Sequence, residues 1–161
     1  MAAIKVADEV WVAAAALHRR YPDREDFTVA EIVGQAEAEN ATGAKSLRPG
    51  VQIHAYLHCV ANRKPNPARL RMLTETSKGR RRLYRPGDPC HPDRGSGKHI
   101  PDRGEVPPAY GELIDWYRSD YAGEKAQPDV DPILSLLGLG KEIWADEDAD
   151  AYVSRLRAGW D

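Results

Sequence analysis

Residues 70–85 read Leu-Arg-Met-Leu-Thr-Glu-Thr-Ser-Lys-Gly-Arg-Arg-Arg-Leu-Tyr-Arg, two short strand-like runs joined by a Lys-Gly pair. The runs span 70–76 and 80–85, and a glycine between two such runs is typical of a hairpin turn. The stretch therefore predicts a β-hairpin. The stretch is also strongly basic, because it contains six Arg and Lys residues and a single acidic residue, Glu75.

Two helix patterns lie upstream of the hairpin. Apolar side chains recur at helical spacing over residues 6–21, and Pro22 ends this pattern. Thr28 stands three residues before Glu31, and this spacing lets a hydroxyl and a carboxylate satisfy the free amides of a helix start reciprocally. We expect a second helix to continue from there along an apolar stripe of Val29, Ile32, Val33 and Ala36.

A third helix is predicted from about Pro49 to Asn62, because proline is favoured in a first helical turn. At about 100° per residue, its inner face would carry Ile53, Leu57 and Val60. Its outer face would carry Gln52, Ala55, Cys59, Asn62 and Arg63. Three helices followed by a basic hairpin form the order of a winged helix-turn-helix, so we expect a mainly helical α+β fold with this unit at residues 1–86.

The chain downstream of the hairpin falls into two predicted segments. Residues 86–108 contain six prolines and four glycines, a composition that resists regular structure. We expect residues 87–122 to form an extended connection and then an aromatic fourth helix that packs back on the domain. Residues 123–161 would hold a linker and a C-terminal helix. Acidic residues lie in the first turn of this helix and Arg155 and Arg157 lie in its last turn, in accord with the helix dipole.

The charge of the chain is distributed unevenly. The formal net charge is −2 overall, but it is −4 for residues 1–44, +10 for 45–86 and −8 for 87–161. A basic block of this size is typical of a surface that binds a polyanion, because each cation at a phosphate releases condensed counterions. The alternatives are a solvated charged face, although such faces normally mix both signs, and a small α+β domain with no nucleic-acid role.

Duplex DNA is the partner that this block predicts. Helix three would enter the major groove, and the hairpin would reach flanking phosphates or the minor groove. A further basic cluster, His91, Arg94 and Lys98, would either extend along the DNA backbone or form a solvated loop. The candidate DNA-binding residues are Arg48, Gln52, His58, Asn62, Arg63, Lys78, Arg80, Arg81, Arg82 and Arg85.

Metal binding and catalysis are not predicted. His54 and His58 stand four residues apart, with Cys59, Cys90 and His91 elsewhere in the chain, but neither cysteine belongs to a Cys-x2-Cys pair. The sequence contains no nucleophile elbow, no phosphate-cradling glycine loop and no His-Glu-x2-His motif. We therefore expect no cofactor, no metal and no enzymatic activity. The acidic cluster at 146–150 is more simply explained by the start of a helix.

The C-terminal segment carries more apolar surface than a solvated tail could leave in water. Its large apolar residues are Ile143, Trp144, Tyr152, Val153, Leu156 and Trp160. Either this segment folds onto its own domain, or it binds a partner.

Two resemblances cover most of the chain. Residues 51–121 resemble a prokaryotic winged-helix family of poorly characterised function, through His-Ala-Tyr-Leu-His-Cys-Val-Ala-Asn at 54–62, Arg-Arg-Leu-Tyr-Arg-Pro-Gly-Asp-Pro at 81–89 and His-Pro-Asp-Arg at 91–94. This resemblance implies a fold and no reaction.

The second resemblance lies at residues 140–160, whose pattern Trp-x3-Asp-x-Asp-x-Tyr-Val-x2-Leu-Arg-x-Gly-Trp is similar to the toxin-binding C-terminus of type II antitoxins paired with PIN-type ribonuclease toxins. Such antitoxins usually carry a small ribbon-helix-helix, swapped-hairpin or Phd-type domain, where this chain has a longer predicted winged helix. The resemblance implies that Arg155 or Arg157 meets the acidic metal site of the toxin. The implied toxin-binding residues are Ile143, Trp144, Tyr152, Val153, Leu156, Arg157 and Trp160.

Together these features predict a cytoplasmic DNA-binding antitoxin that represses its own operon. Its partners would be duplex DNA and a cognate protein toxin, without a membrane, and the oligomeric state stays open between monomer and homodimer. One alternative is a protein-interaction or structural winged-helix module whose tail packs intramolecularly. Another is an accessory DNA-recognition subunit of a restriction-type defence system.

Overall fold

Helix α1 (Val6–Arg20) is the central element of the computed structural model, which describes residues 3–65, 68–123, 154–155 and 157–158. The six residues 10–15 are each at most 1% exposed, so the middle of this helix is enclosed by other elements on every side. The chain divides into two compact units, Met1–Lys125 and Ala126–Asp161.

The capping box predicted at the start of the second helix is confirmed. In α2 (Val29–Glu39) the Thr28 hydroxyl accepts a hydrogen bond from the Glu31 amide at 3.1 Å, and the Glu31 carboxylate accepts one from the Thr28 amide at 2.8 Å. Strand β1 (Phe27–Thr28) immediately precedes this helix and was not predicted. With only two residues, it has too little sequence to show a strand pattern.

Helix three differs from its prediction in both geometry and orientation. It consists of α3 (Gly50–Ile53) and a π-helical turn (His54–His58), in which the Cys59 amide donates to the His54 carbonyl at 3.0 Å. The inner face is formed by Val51, Ala55 and Cys59, which are fully buried and stand four residues apart, the spacing of one helix face. The predicted inner face is therefore wrong at Ile53, which is 42% exposed, and the predicted outer face is wrong at Ala55 and Cys59.

The predicted hairpin is confirmed. Strands β2 (Leu73–Ser77) and β3 (Arg80–Leu83) pair in antiparallel fashion around Gly79, whose φ of +74° suits glycine. Strand β1 adds to the other edge of β3, which gives a three-stranded sheet of order β1-β3-β2. The element order α1-β1-α2-α3-β2-β3 defines a winged-helix-like α+β fold.

The proline-rich segment forms short 3-10 turns that pack on the core. These turns are Pro92–Arg94, Arg103–Glu105 and Pro108–Tyr110. Its path requires a glycine at position 97, because a Cβ there would lie 1.5 Å from the Arg69 carbonyl oxygen. This close approach holds the segment against the chain that leads into β2.

Helix α4 (Gly111–Trp116) continues as a π-helical turn (Tyr117–Tyr121) and packs against α1. Its buried residues include Leu113, Ile114 and Tyr117. The rings of Tyr117 and Trp11 meet edge to face with centroids 5.5 Å apart, so this helix completes the core. Within the described ranges, no helix is long and apolar enough to cross a membrane.

Candidate nucleic-acid interface

The exposed face of helix three carries side chains with little structural function. Pro49, Gln52, Ile53 and Tyr56 line one shallow concavity on this face. Ile53 is 42% and Tyr56 45% exposed, and Gln52 is also exposed. A contiguous exposed patch that contains two large apolar side chains is typical of a binding surface.

Two arginines flank the Tyr56 ring. The Arg63 and Arg81 guanidinium carbons lie 5.3 and 5.6 Å from the ring centroid, within the range of cation–π interactions. These contacts restrict the ring although nearly half of its surface faces solvent. Tyr56 is therefore a preorganised part of the exposed face, although it was not among the predicted DNA-binding residues.

Asn62 and Arg63, two predicted DNA-binding residues, join helix three to β2. Arg63 donates from Nε and Nη2 to the Glu75 carboxylate at 2.6 and 2.7 Å. The Asn62 side chain donates to the Glu75 carbonyl and accepts from the Glu75 amide, both at 2.9 Å. Arg63 lowers the pKa of Glu75, so this pair stays ionised. Both predicted residues are thus engaged within the fold.

Arg81 has a position that does not fit its predicted contact with DNA. Its side chain is fully buried and donates to the Tyr56 carbonyl at 2.9 Å and the Arg80 carbonyl at 2.8 Å. Glu75 lies 3.2 Å away and compensates its charge. In this arrangement a phosphate outside the domain cannot reach the Arg81 guanidinium, which instead fixes β3 to helix three.

Three further predicted cations bind carboxylates within the fold. Arg82 donates two hydrogen bonds of 2.7 Å to Asp88, and Arg80 donates one of 2.6 Å to Asp26. Arg48 donates to Glu9 at 2.6 and 3.0 Å, and the Glu9 side chain is only 2% exposed. Much of the positive charge of the basic block is therefore neutralised inside the fold.

Several cations of the basic block have no such partner. Within the described part of the chain, these exposed residues form no ion pair: Lys45, Lys64, Arg69 and Lys78. Lys64 lies in the loop between helix three, which ends at His58, and β2, and Lys78 lies in the hairpin turn. Arg85 is also exposed, donates from Nε to the Tyr121 carbonyl at 3.1 Å and stacks over the Tyr121 ring at 4.2 Å. These are the cations that remain accessible to a polyanion.

His54 and His58 lie close together in helix three. The His54 and His58 rings lie 5.0 Å apart, and His54 Nδ1 forms a 2.8 Å hydrogen bond with the Gly50 carbonyl. His58 Nδ1 is buried without a hydrogen-bond partner, and burial lowers the His58 pKa. Across the described residues, no three His, Cys, Asp or Glu side chains converge as metal ligands. Cys59 is fully buried, and burial raises the pKa of its thiol.

Arg94 is a structural residue and does not belong to a basic surface cluster. Its side chain is fully buried, and five backbone carbonyls accept its hydrogen bonds. Two of these carbonyls belong to the last turn of helix three, where the negative end of the helix dipole favours a cation. The five acceptors are Leu57, His58, Arg63, Lys64 and Leu70.

Lys98, the second cation of the predicted cluster, is also engaged in the fold. It forms ion pairs with Glu105 and with Asp8, whose carboxylate lies 3.2 Å away and is 1% exposed. Burial raises the Asp8 pKa despite the nearby ammonium group. His91 accepts a hydrogen bond from the Asp93 amide at 3.2 Å and begins the first 3-10 turn. The predicted cluster is therefore not a free basic surface.

Most of the predicted toxin-binding residues lie outside the described residues. Arg157 is described and is helical and exposed, as is Arg155. The others are Ile143, Trp144, Tyr152, Val153, Leu156 and Trp160. No family model, curated protein or solved structure matches this chain. The two resemblances noted in the sequence therefore stay predictions.

Proposed function

We propose that this protein is a DNA-binding antitoxin. Its winged-helix-like unit would bind duplex DNA through helix three and the hairpin turn, and its C-terminal segment would neutralise a protein toxin. The observation that carries the DNA-binding part is the exposed face of Gln52, Ile53 and Tyr56, whose neighbours Arg63 and Arg81 are committed to the fold. Side chains that are exposed while the surrounding residues are fixed suit direct contact with a groove.

The accessible cations support the same function. Lys64 lies in the loop after helix three, and Lys78 lies in the hairpin turn. Helix three and the hairpin are the elements that approach DNA in winged-helix proteins. Each contact with a phosphate releases counterions and steepens the salt dependence of binding. The proposed interface relies on these lysines and Arg85, and it leaves Arg80, Arg81 and Arg82 to stabilise the hairpin.

The antitoxin part rests on the C-terminal sequence pattern and on the exposed, helical Arg157. An arginine that extends into the acidic metal site of a ribonuclease would block it, because the guanidinium would pair with the acidic residues and fill the place of the metal ion. On this proposal the protein acts by binding alone, without catalysis, and represses the operon that encodes it and its toxin. Its action would take place in the cytoplasm, where both partners are found.

The DNA-binding part is tested by titrating a fluorescent random-sequence duplex at several salt concentrations. We expect Lys64→Ala with Lys78→Ala to weaken binding and to reduce the slope of log affinity against log salt by about two, one for each lost phosphate contact. Arg20→Ala with Arg118→Ala is the matched control, because it removes the same charge from exposed positions on other helices. Equal effects of the two double variants would contradict this interface.

A second candidate function is a protein-interaction module, and the exposed apolar surface of Ile53 and Tyr56 favours it. In that case the wild-type protein would show no salt-dependent affinity for duplex DNA. A charge introduced by Ile53→Asp would then prevent assembly with a protein partner.

A further inference from the structure

Helix three presents an amide and apolar groups on its exposed face, but no accessible cation. The concavity on this face is lined by Pro49, Gln52, Ile53 and Tyr56. We propose that this face recognises A·T base pairs in the major groove, with Gln52 on an adenine and Ile53 on a thymine methyl group. This inference rests on the proposed DNA binding and specifies the class of sequence that is bound.

The amide of Gln52 matches adenine. A glutamine side chain carries a carbonyl acceptor and an NH2 donor, and adenine presents a complementary N6 donor and N7 acceptor in the major groove. Gln52 is exposed, so its amide is accessible to a base edge.

Ile53 matches the partner base in the same pair. Thymine differs from the other bases by a C5 methyl group in the major groove, which favours contact with an apolar side chain. Ile53 is 42% exposed and lines the same concavity as Gln52. Burying this side chain against a methyl group would remove apolar surface from water on both sides of the contact.

Guanine recognition lacks its usual side chain on this face. Arginine or lysine, bound to guanine O6 and N7, is the commonest specific contact to a base. The arginines that flank helix three, Arg48 and Arg63, are paired with Glu9 and Glu75 through two hydrogen bonds each. Moving Arg48 to a base would leave the buried Glu9 carboxylate without its partner, which is unfavourable.

The first experiment selects bound sequences from a random duplex library with the full-length protein at low salt. We expect the selected sites to share adjacent A·T pairs and to lose this preference with Gln52→Ala. A site dominated by G·C pairs would overturn the inference and leave the proposed DNA binding intact. Binding to no duplex at all would overturn both and would leave a protein as the partner of this face.

The second experiment replaces the thymines of the selected duplex with uracil, one at a time. At one position the loss of the methyl group should weaken wild-type binding about fourfold, which corresponds to the free energy of burying one carbon group. With Ile53→Ala, thymine and uracil should bind equally at that position. Tyr21 at the end of α1 is similarly exposed, and Tyr21→Ala should keep the difference in affinity between the thymine and uracil duplexes. If the wild type bound every uracil duplex as tightly as the thymine duplex, the role of Ile53 would be overturned.

Discussion

Arg82 donates two hydrogen bonds of 2.7 Å to the two carboxylate oxygens of Asp88, which closes the loop behind the hairpin. Asp88 also accepts from the Arg85 amide at 2.7 Å, and its side chain, like that of Arg82, is only 14% exposed. Arg82 holds the pKa of Asp88 below its ordinary value despite the opposing effect of burial. The arginine-rich strand thus stabilises the fold with side chains that the sequence analysis assigned to DNA.

Replacing Arg82 with Ala should therefore lower the free energy of unfolding by about 2 kcal/mol, because Asp88 would keep its burial and lose its partner. Chemical denaturation followed by circular dichroism measures this change. Arg85→Ala, which removes the neighbouring exposed arginine, should cost less than about 1 kcal/mol. Similar losses for the two variants would contradict a structural role that is specific to Arg82.

Arg94 should be the most sensitive arginine of the domain. Arg94→Met preserves much of the buried apolar stem but leaves five carbonyl groups without their donor. We expect a loss of about 3 kcal/mol or more in the free energy of unfolding, because unsatisfied buried polar groups are costly. Arg69→Met changes an exposed arginine in the same way and should be close to neutral. A small effect of Arg94→Met would show that water can replace the guanidinium.

The helices and the hairpin could be predicted because their signals are local. The Thr28–Glu31 capping box and Gly79 in the hairpin turn each depend on residues that are close in the chain. The π-helical turn at His54–His58 has no such signal. The inner face of helix three was assigned to Ile53, Leu57 and Val60, although Val51, Ala55 and Cys59 also recur at helical spacing, so the period alone did not identify the buried stripe. The same error hid the exposure of Ile53.

The candidate site was harder to predict because it depends on pairs of distant residues. A count of charge by segment cannot show that Arg48 binds Glu9 or that Arg80 binds Asp26. Nor does the His-Pro-Asp-Arg sequence at 91–94 reveal that Arg94 binds the carbonyls at the end of helix three. Only the folded structure separates these cations from the accessible Lys64 and Lys78.

His18 should make the domain sensitive to mild acid. It is 3% exposed, and Nε2 accepts a 3.3 Å hydrogen bond from the Leu83 amide, so the folded state requires the neutral ring. Burial, followed by the charges of Arg85 and Arg82, lowers the His18 pKa from 6.5 to about 4. Below pH 6.5 the unfolded state binds a proton that the folded state does not. The free energy of unfolding therefore decreases by up to about 3 kcal/mol as the pH is lowered from about 6.5 to 4.

Denaturation curves at several pH values measure this dependence. His18→Gln keeps an acceptor and removes the titrating group, so the fall in stability above pH 4.5 should become shallower. His58→Gln is measured beside it, because burial also lowers the pKa of His58. The carboxylates whose pKa is lowered, including Glu31 with a pKa of about 2, lose their contribution only as the pH falls below their ordinary pKa. An unchanged slope in His18→Gln would contradict the assignment to His18.

The C-terminal segment supplies the decisive test of the antitoxin proposal. Leu156 and Trp160 stand four residues apart and would share one face of a helix, which is how partner-binding helices enter a groove. Replacing both with Ala should weaken toxin binding at least thirtyfold, the equivalent of about 2 kcal/mol for a buried aromatic anchor, and should leave DNA binding unchanged. Arg157→Ala should retain much of the association and release some ribonuclease activity, whereas release by Arg155→Ala instead would assign the acidic metal site to Arg155. The toxin tested is the protein encoded beside this gene, and its ribonuclease activity and its complex formation with each variant are measured side by side. A double variant that still binds and inhibits the toxin like the wild type would show that this segment does not neutralise it.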